Sequence, residues 1–95
     1  MMAFWVFHFM SLEKIVIYTT NYCPYCTAAK NLLKGKSLSF QEINVEGDDE
    51  KRNWLRETTG QRTVPQIFIH GKSIGGFQEL SELDKSGKLG ILLNQ

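Results

Sequence analysis

Apolar and polar positions along the chain switch between two periods, and the switches mark the elements. Lys14 to Thr19 (KIVIYT) is β-branched and aromatic, bounded by polar residues, and reads as a buried strand. From Cys23 to Lys34 the period lengthens. Pro24 suits a first helical turn, Ala28, Ala29, Leu32 and Leu33 recur at helical spacing, and Gly35 is placed to follow the helix. Phe40 to Val45 interleaves Phe40, Ile43 and Val45 with Gln41, Glu42 and Asn44 and predicts a second strand. Asp48 to Thr59 opens on Asp48, Asp49 and Glu50, which favour a helix N-terminus, and stops at Gly60. Gln66 to His70 (QIFIH) reads as a third strand, His70-Gly71 as a turn, and Lys72 to Ile74 as a short fourth strand. Gly75-Gly76 breaks the pattern. Phe77 to Ser86 and Leu89 to Leu93 look helical, with Gly87 between them. The order is β-α-β-α-β-β-α, an α/β fold with one four-stranded mixed sheet flanked by helices. The first two strands, joined by a helix, are expected to run parallel, and the last two to form a hairpin.

At 95 residues the chain is one domain at most, and 42% hydrophobic with 22% charged residues is ordinary globular composition. A net charge of +1 gives no basic excess for nucleic acid. No apolar run approaches the roughly 20 residues needed to span a bilayer, so no stable membrane association is expected. Met1 to Met10 (MMAFWVFHFM) carries Phe4, Trp5, Phe7 and Phe9, without the basic start or small-residue cleavage site of a signal peptide. It could add a strand or plug, or touch a partner. The reading adopted is an upstream extension, because Met10-Ser11-Leu12-Glu13-Lys14 looks like a natural beginning. Residues 1–10 are therefore set apart from a domain spanning 11–95.

The chemistry concentrates in Cys23-Pro24-Tyr25-Cys26, the chain's only two cysteines. Two close cysteines fit a reducing compartment better than a disulfide-stapled secreted domain. At a helix N-terminus the unpaired N–H groups and the macrodipole stabilise an anion, lowering a thiol's pKa. Cys23, at the cap, is expected to be exposed and reactive, and Cys26, one turn in, more buried. Their spacing brings both sulfurs to one face, within disulfide reach. A zinc site would need about four ligands, and His8 and His70 are not spaced to supply them, so no metal is expected. An inert structural disulfide would close too short a loop to stabilise much. A C-x-x-C in a βαβ context reads instead as a thioredoxin-like redox motif.

Together, Cys23-Pro24-Tyr25-Cys26, Thr63-Val64-Pro65 and Gly75-Gly76 before the last helical stretch resemble the dithiol (CPYC-type, class I) glutaredoxins of the thioredoxin superfamily. The similarity runs from about Lys14 to Leu93. It implies a thioredoxin-like fold and glutathione-dependent reduction of protein disulfides and glutathione mixed disulfides. Cys23 matches the nucleophile and Cys26 the resolving thiol. Pro65 matches a cis proline, which would leave the Val64 main chain to pair with glutathione. Tyr25 and Thr63 would flank the groove. Arg52, with Gln61 as a second candidate, would meet the glycine carboxylate. Gly76, Phe77 and Gln78 match the turn whose N–H groups receive the γ-glutamyl carboxylate. Glutathione would be a reducing co-substrate, with no permanently bound cofactor. The partners implied are disulfide-containing or glutathionylated proteins, ribonucleotide reductase among them, met by a cytoplasmic monomer in cell redox homeostasis and electron transport.

Three departures qualify the expectation. Thr20 stands where many members carry Lys, Gln78 where Asp is frequent, and Phe77 is bulkier than the small residue or Cys often found there. The chemistry is expected to persist with weaker glutathione affinity. Trp54 is expected to pack rather than bind, and His70 to be a turn residue. Two other functions fit parts of the sequence: an iron–sulfur cluster bridged through Cys23 and glutathione, against which Pro24 and Cys26 argue, and a thioredoxin-like protein reduced by a flavoprotein.

Overall fold

A computed structural model describes residues 14–94. The N-terminal stretch set apart above lies outside the described residues. The elements are β1 (Ile15–Thr19), α1 (Pro24–Gly35), β2 (Gln41–Asn44), α2 (Asp49–Thr59), β3 (Gln66–Ile69), β4 (Lys72–Gly75), α3 (Phe77–Lys85) and α4 (Lys88–Leu93). The sheet order is β2-β1-β3-β4. β2 runs parallel to β1, while β3 is antiparallel to both β1 and β4.

Period-two side-chain alternation gives the sheet two covered faces. Ile15 and Ile17 join Ile67, Ile69, Ala29, Leu33, Leu80 and Leu89 in one core, so α1, α3 and α4 cover that face. Val16 and Tyr18 point the other way, toward Val45, Leu55 and Phe68 under α2. Each fully buried Leu or Ile contributes about 1.5–3 kcal/mol of transfer free energy.

Local chemistry sets the ends of the elements. Asp48 caps α2 by accepting the Lys51 N–H at 3.0 Å. Gly60 closes that helix with φ 77°, donating its N–H to Arg56. His70 (φ 52°) and Gly71 (φ 79°) both take the left-handed conformation, as a two-residue type I′ hairpin turn requires. Several boundaries shift by one residue from the sequence pattern; β4, for instance, takes in Gly75. α1 includes Gly35, and the left-handed residue after it is Ser37 (φ 58°). β2 is shorter than its alternation, although the Val45 N–H still bonds the Thr19 carbonyl at 2.8 Å.

Candidate active site

Cys23 is the N-cap of α1, with extended φ and ψ and Pro24 at the first helical position. Its approach is anchored on the β2 side. The Asn21 N–H donates to Glu46 at 3.0 Å, and the Asn44 amide donates to Asn21 Oδ1 at 3.0 Å. The Cys26 N–H donates to Cys23 Sγ at 3.1 Å, so the sulfur takes the place a capping oxygen would hold. Cys23 is half-buried, while Cys26 is only 2% exposed. This is the asymmetry expected of a cap position and one turn further in. The two sulfurs are joined as a disulfide, with the Cα atoms 5.1 Å apart.

Opposite Cys23 stands the loop 61–65. The Val64–Pro65 peptide is cis, as the resemblance implied. Cys23 Sγ lies 3.7 Å from the Val64 carbonyl oxygen, to which a reduced thiol can donate. The turn before α3 approaches the same loop closely: a Cβ on Gly76 would stand 3.2 Å from the Pro65 carbonyl oxygen. Gln61, Thr63, Pro65 and Gly76 thereby line one cleft of about 250 Å³ together with Gln66, Ser73, Gly75 and Glu79.

Gln66 escaped the sequence reading. It is 4% exposed, and its amide donates to the carbonyls of Gln61 (2.9 Å) and Thr63 (3.0 Å). A buried amide in the strand thus holds the curve of the loop. The available signal was a lone polar residue between Pro65 and three consecutive apolar ones.

The remaining expected residues do not line that cleft. Tyr25 is 66% exposed and stacks on Phe77, ring centroids 6.1 Å apart at 29°. The first residue of α3 therefore touches the dithiol turn. Gln78 is exposed beside it. The Gly76 N–H is not open, because it donates to Glu79 Oε1 at 2.8 Å. Phe77 and Gln78 hold the first-turn amides without intrahelical acceptors. Arg52 lies apart from the cleft, in a neighbouring cavity with Asp49, Asn53, Arg56 and Arg62.

Trp54 is 45% exposed and packs against Tyr18 and Phe68, with centroids 5.9 and 6.0 Å away. Burial raises the Tyr18 pKa above its ordinary value. Behind the dithiol, Thr19 Oγ1 donates to Glu42 Oε2 at 2.7 Å and Lys30 Nζ donates at 3.0 Å. Partial burial pushes the Glu42 carboxyl upward, but these hydrogen bonds and the charges of Lys30 and Lys34 outweigh it, so its pKa falls below the ordinary value. Among the described residues no group of three or more His, Cys, Asp or Glu is placed to hold a metal, and no helix is long and apolar enough to cross a membrane.

A glutaredoxin family model matches residues 15–74. A Pseudomonas aeruginosa glutaredoxin is 48% identical over 83 residues, spanning 87% of this chain and 99% of its own length. Glutaredoxin 3 of Escherichia coli K12 is 45% identical over 82 residues, spanning 86% and 99%. The structure of a buckwheat glutaredoxin–glutathione complex superposes with a TM-score of 0.82 at 35% identity, covering 98% of this chain and 88% of that one. The cap-positioned dithiol, the cis proline opposite it and these likenesses agree: the chain belongs to the glutaredoxin family and is a thiol–disulfide oxidoreductase with a redox-active Cys23–Cys26 pair.

Proposed function

We propose that this glutaredoxin draws its electrons from glutathione and that Cys23 is the attacking sulfur. The observation that carries the assignment is the contrast between the two sulfurs. Cys23 sits half-exposed at a helix cap and receives the Cys26 N–H, whereas Cys26 is buried. An amide donor and a helix N-terminus both favour the thiolate, the nucleophilic form.

In the monothiol route the Cys23 thiolate attacks the glutathione sulfur of a mixed disulfide. The glutathione–substrate S–S bond breaks and the substrate leaves as a thiol. A second glutathione thiolate attacks the glutathione sulfur of the adduct, forming glutathione disulfide and restoring the Cys23 thiolate. With a protein disulfide, Cys23 forms the mixed disulfide and Cys26 then attacks Cys23. The substrate's second thiol departs, and two glutathiones reduce the resulting Cys23–Cys26 disulfide.

An extended tripeptide would lie beside Cys23, against the loop 61–65 and the turn before α3. The Val64 main chain would pair with its cysteine as a strand edge does. Tyr25, Thr63 and Pro65 would wall it, and Arg52 or Gln61 would meet the glycine carboxylate. The first-turn amides of Phe77 and Gln78 would meet the γ-glutamyl carboxylate, with Gly76 shaping the turn. That the buckwheat relative forms a glutathione complex supports this reading. Thr20 and Gln78 carry no charge, so affinity is expected below the family norm. The chain is read as a cytoplasmic monomer reducing disulfide-bonded or glutathionylated proteins, ribonucleotide reductase among the candidates.

The test is a glutathione-coupled assay that follows NADPH consumption through glutathione reductase on a small glutathione mixed disulfide. Cys23→Ser should abolish turnover, whereas Cys26→Ser should keep the monothiol route. Substantial activity in Cys23→Ser would overturn the assignment.

A further inference from the structure

We propose that the cavity walled by Tyr18 and Trp54, apart from the dithiol cleft, docks an arginine side chain of the protein substrate. The inference deepens the proposed function and rests on Cys23 being the attacking group.

The cavity is open, holds about 460 Å³ and is lined by Tyr18, Asp48, Glu50, Lys51 and Trp54. Glu50 and Lys51 precede Trp54 by four and three residues on α2, so the three share one face. Arg52 is two residues from Trp54, about 200° round the helix, and lines a different cavity. None of the residues expected to hold glutathione lines this one.

Its walls suit a planar cation. Trp54 stacks on Phe68, centroids 6.0 Å apart at 22°, yet remains 45% exposed. Tyr18 stands 5.9 Å from the indole at 49°, so two rings border the opening at an angle. An aromatic face attracts a cation, indole most strongly, and a guanidinium also stacks flat on the ring. Carboxylates supply the matching acceptors. Asp48 Oδ1 accepts the Lys51 N–H, which leaves Oδ2, and neither Asp48 nor Glu50 is in an ion pair among the described residues. A guanidinium pairs such a carboxylate through two parallel hydrogen bonds. Lys51 is the single cation of the lining, so two acids against it leave one negative charge in excess. The chain as a whole carries +1, and the complementarity to a cation is therefore local. Burial raises the Tyr18 pKa, so the phenol stays neutral and adds no charge of its own.

Position ties the cavity to the reaction. Tyr18 is five residues before Cys23, a span of at most about 17 Å. The bonds of Asn21 to Glu46 and Asn44 fix the path between them. An extended substrate segment with arginine about five residues from its reacting cysteine therefore reaches both places at once.

The experiment uses the full chain carrying Trp5→Phe, which leaves Trp54 as the only indole. Two peptides are compared, identical except for Arg or Gln at the fifth residue on each side of cysteine. They are glutathionylated for turnover, and carry Ser in place of cysteine for titration of the Trp54 emission. At low salt the Arg peptide should bind about fivefold to tenfold more tightly and turn over with a kcat/KM higher by the same factor. Glu50→Gln, and Trp54→Leu read by turnover, should each cut that advantage to about twofold or less. Lys51→Gln, which removes the competing cation, should enlarge it by about twofold. All three should leave turnover of a small glutathione mixed disulfide within about twofold, because they lie outside the dithiol cleft. A parent chain indifferent to arginine would overturn the site, as would a Glu50→Gln variant that keeps the full preference or a Lys51→Gln variant that loses it. Equal loss on both peptides and on the small disulfide would also overturn it, assigning these residues to the dithiol cleft. An arginine preference in the titration, with no glutathione mixed disulfide turned over, would sink the glutathione reading and leave the docking site standing.

Discussion

Replacing Gln66 by Met separates the loop's support from the chemistry it serves. The side chains are similar in volume, so the pocket stays filled, but both amide donors vanish. The Gln61 and Thr63 carbonyls lose partners at 2.9 and 3.0 Å. Each such bond is worth about 0.5–1.5 kcal/mol net, giving a total of about 1–3 kcal/mol. Both carbonyls belong to exposed residues that water can reach, so the lower half of that range is expected. For a domain of this size that lowers Tm by roughly 5–12 °C. The oxidised protein is the form to melt, followed by far-UV circular dichroism, because the dithiol state is then constant. In the coupled assay KM for the glutathione mixed disulfide should rise several-fold, since Thr63 and Gln61 lose their fixed positions. The kcat should change by less than twofold, because Gln66 is not bonded to either cysteine. An unchanged Tm would refute the claim that Gln66 holds the loop. A fall in kcat with KM unchanged would refute its restriction to binding.

Two further predictions concern the edges of the site. Gly75 has φ 109°, and a Cβ there would come within 2.7 Å of the Glu79 side chain that bonds the Gly76 N–H. Gly75→Ala should cost about 1–3 kcal/mol in urea unfolding. Adding Glu79→Ala should recover part of that loss, and simple additivity would contradict the contact. Glu42, with its folded pKa lowered, is ionised more readily in the folded than in the unfolded chain. Its contribution is therefore full above the ordinary value of 4.5 and disappears as pH falls through the folded value. The network is partly exposed, so about 0.5–1 kcal/mol is expected. The stability gap between wild type and Glu42→Gln should close between about pH 5 and 3, and a gap that widened on acidification would rule out the assigned sign.

Most elements of the fold are legible along the chain, because their signals are local. Asp48 and Gly60 bound α2 through their own cap geometry, and His70-Gly71 makes its turn with backbone angles that glycine supplies freely. The buried runs Ile15–Thr19 and Gln66–Ile69 were legible as strands because burial on both faces leaves few polar positions. The dithiol was legible for the same reason: cap position and spacing sufficed to say which sulfur would be open. Resemblance to a family supplied the proposed glutathione residues, and no local pattern could have. Tertiary structure alone decided what touches what. Strand order brought the loop before β3 against Cys23, from 41 residues away. Packing placed Phe77 on Tyr25, gave the Gly76 N–H to Glu79 and buried Gln66 under two carbonyls. Arg62 reads in sequence as one more surface charge. Only the fold sets it beside Arg52 and Arg56, because charges separated along the chain become neighbours when a helix and the loop after it share one side of the molecule.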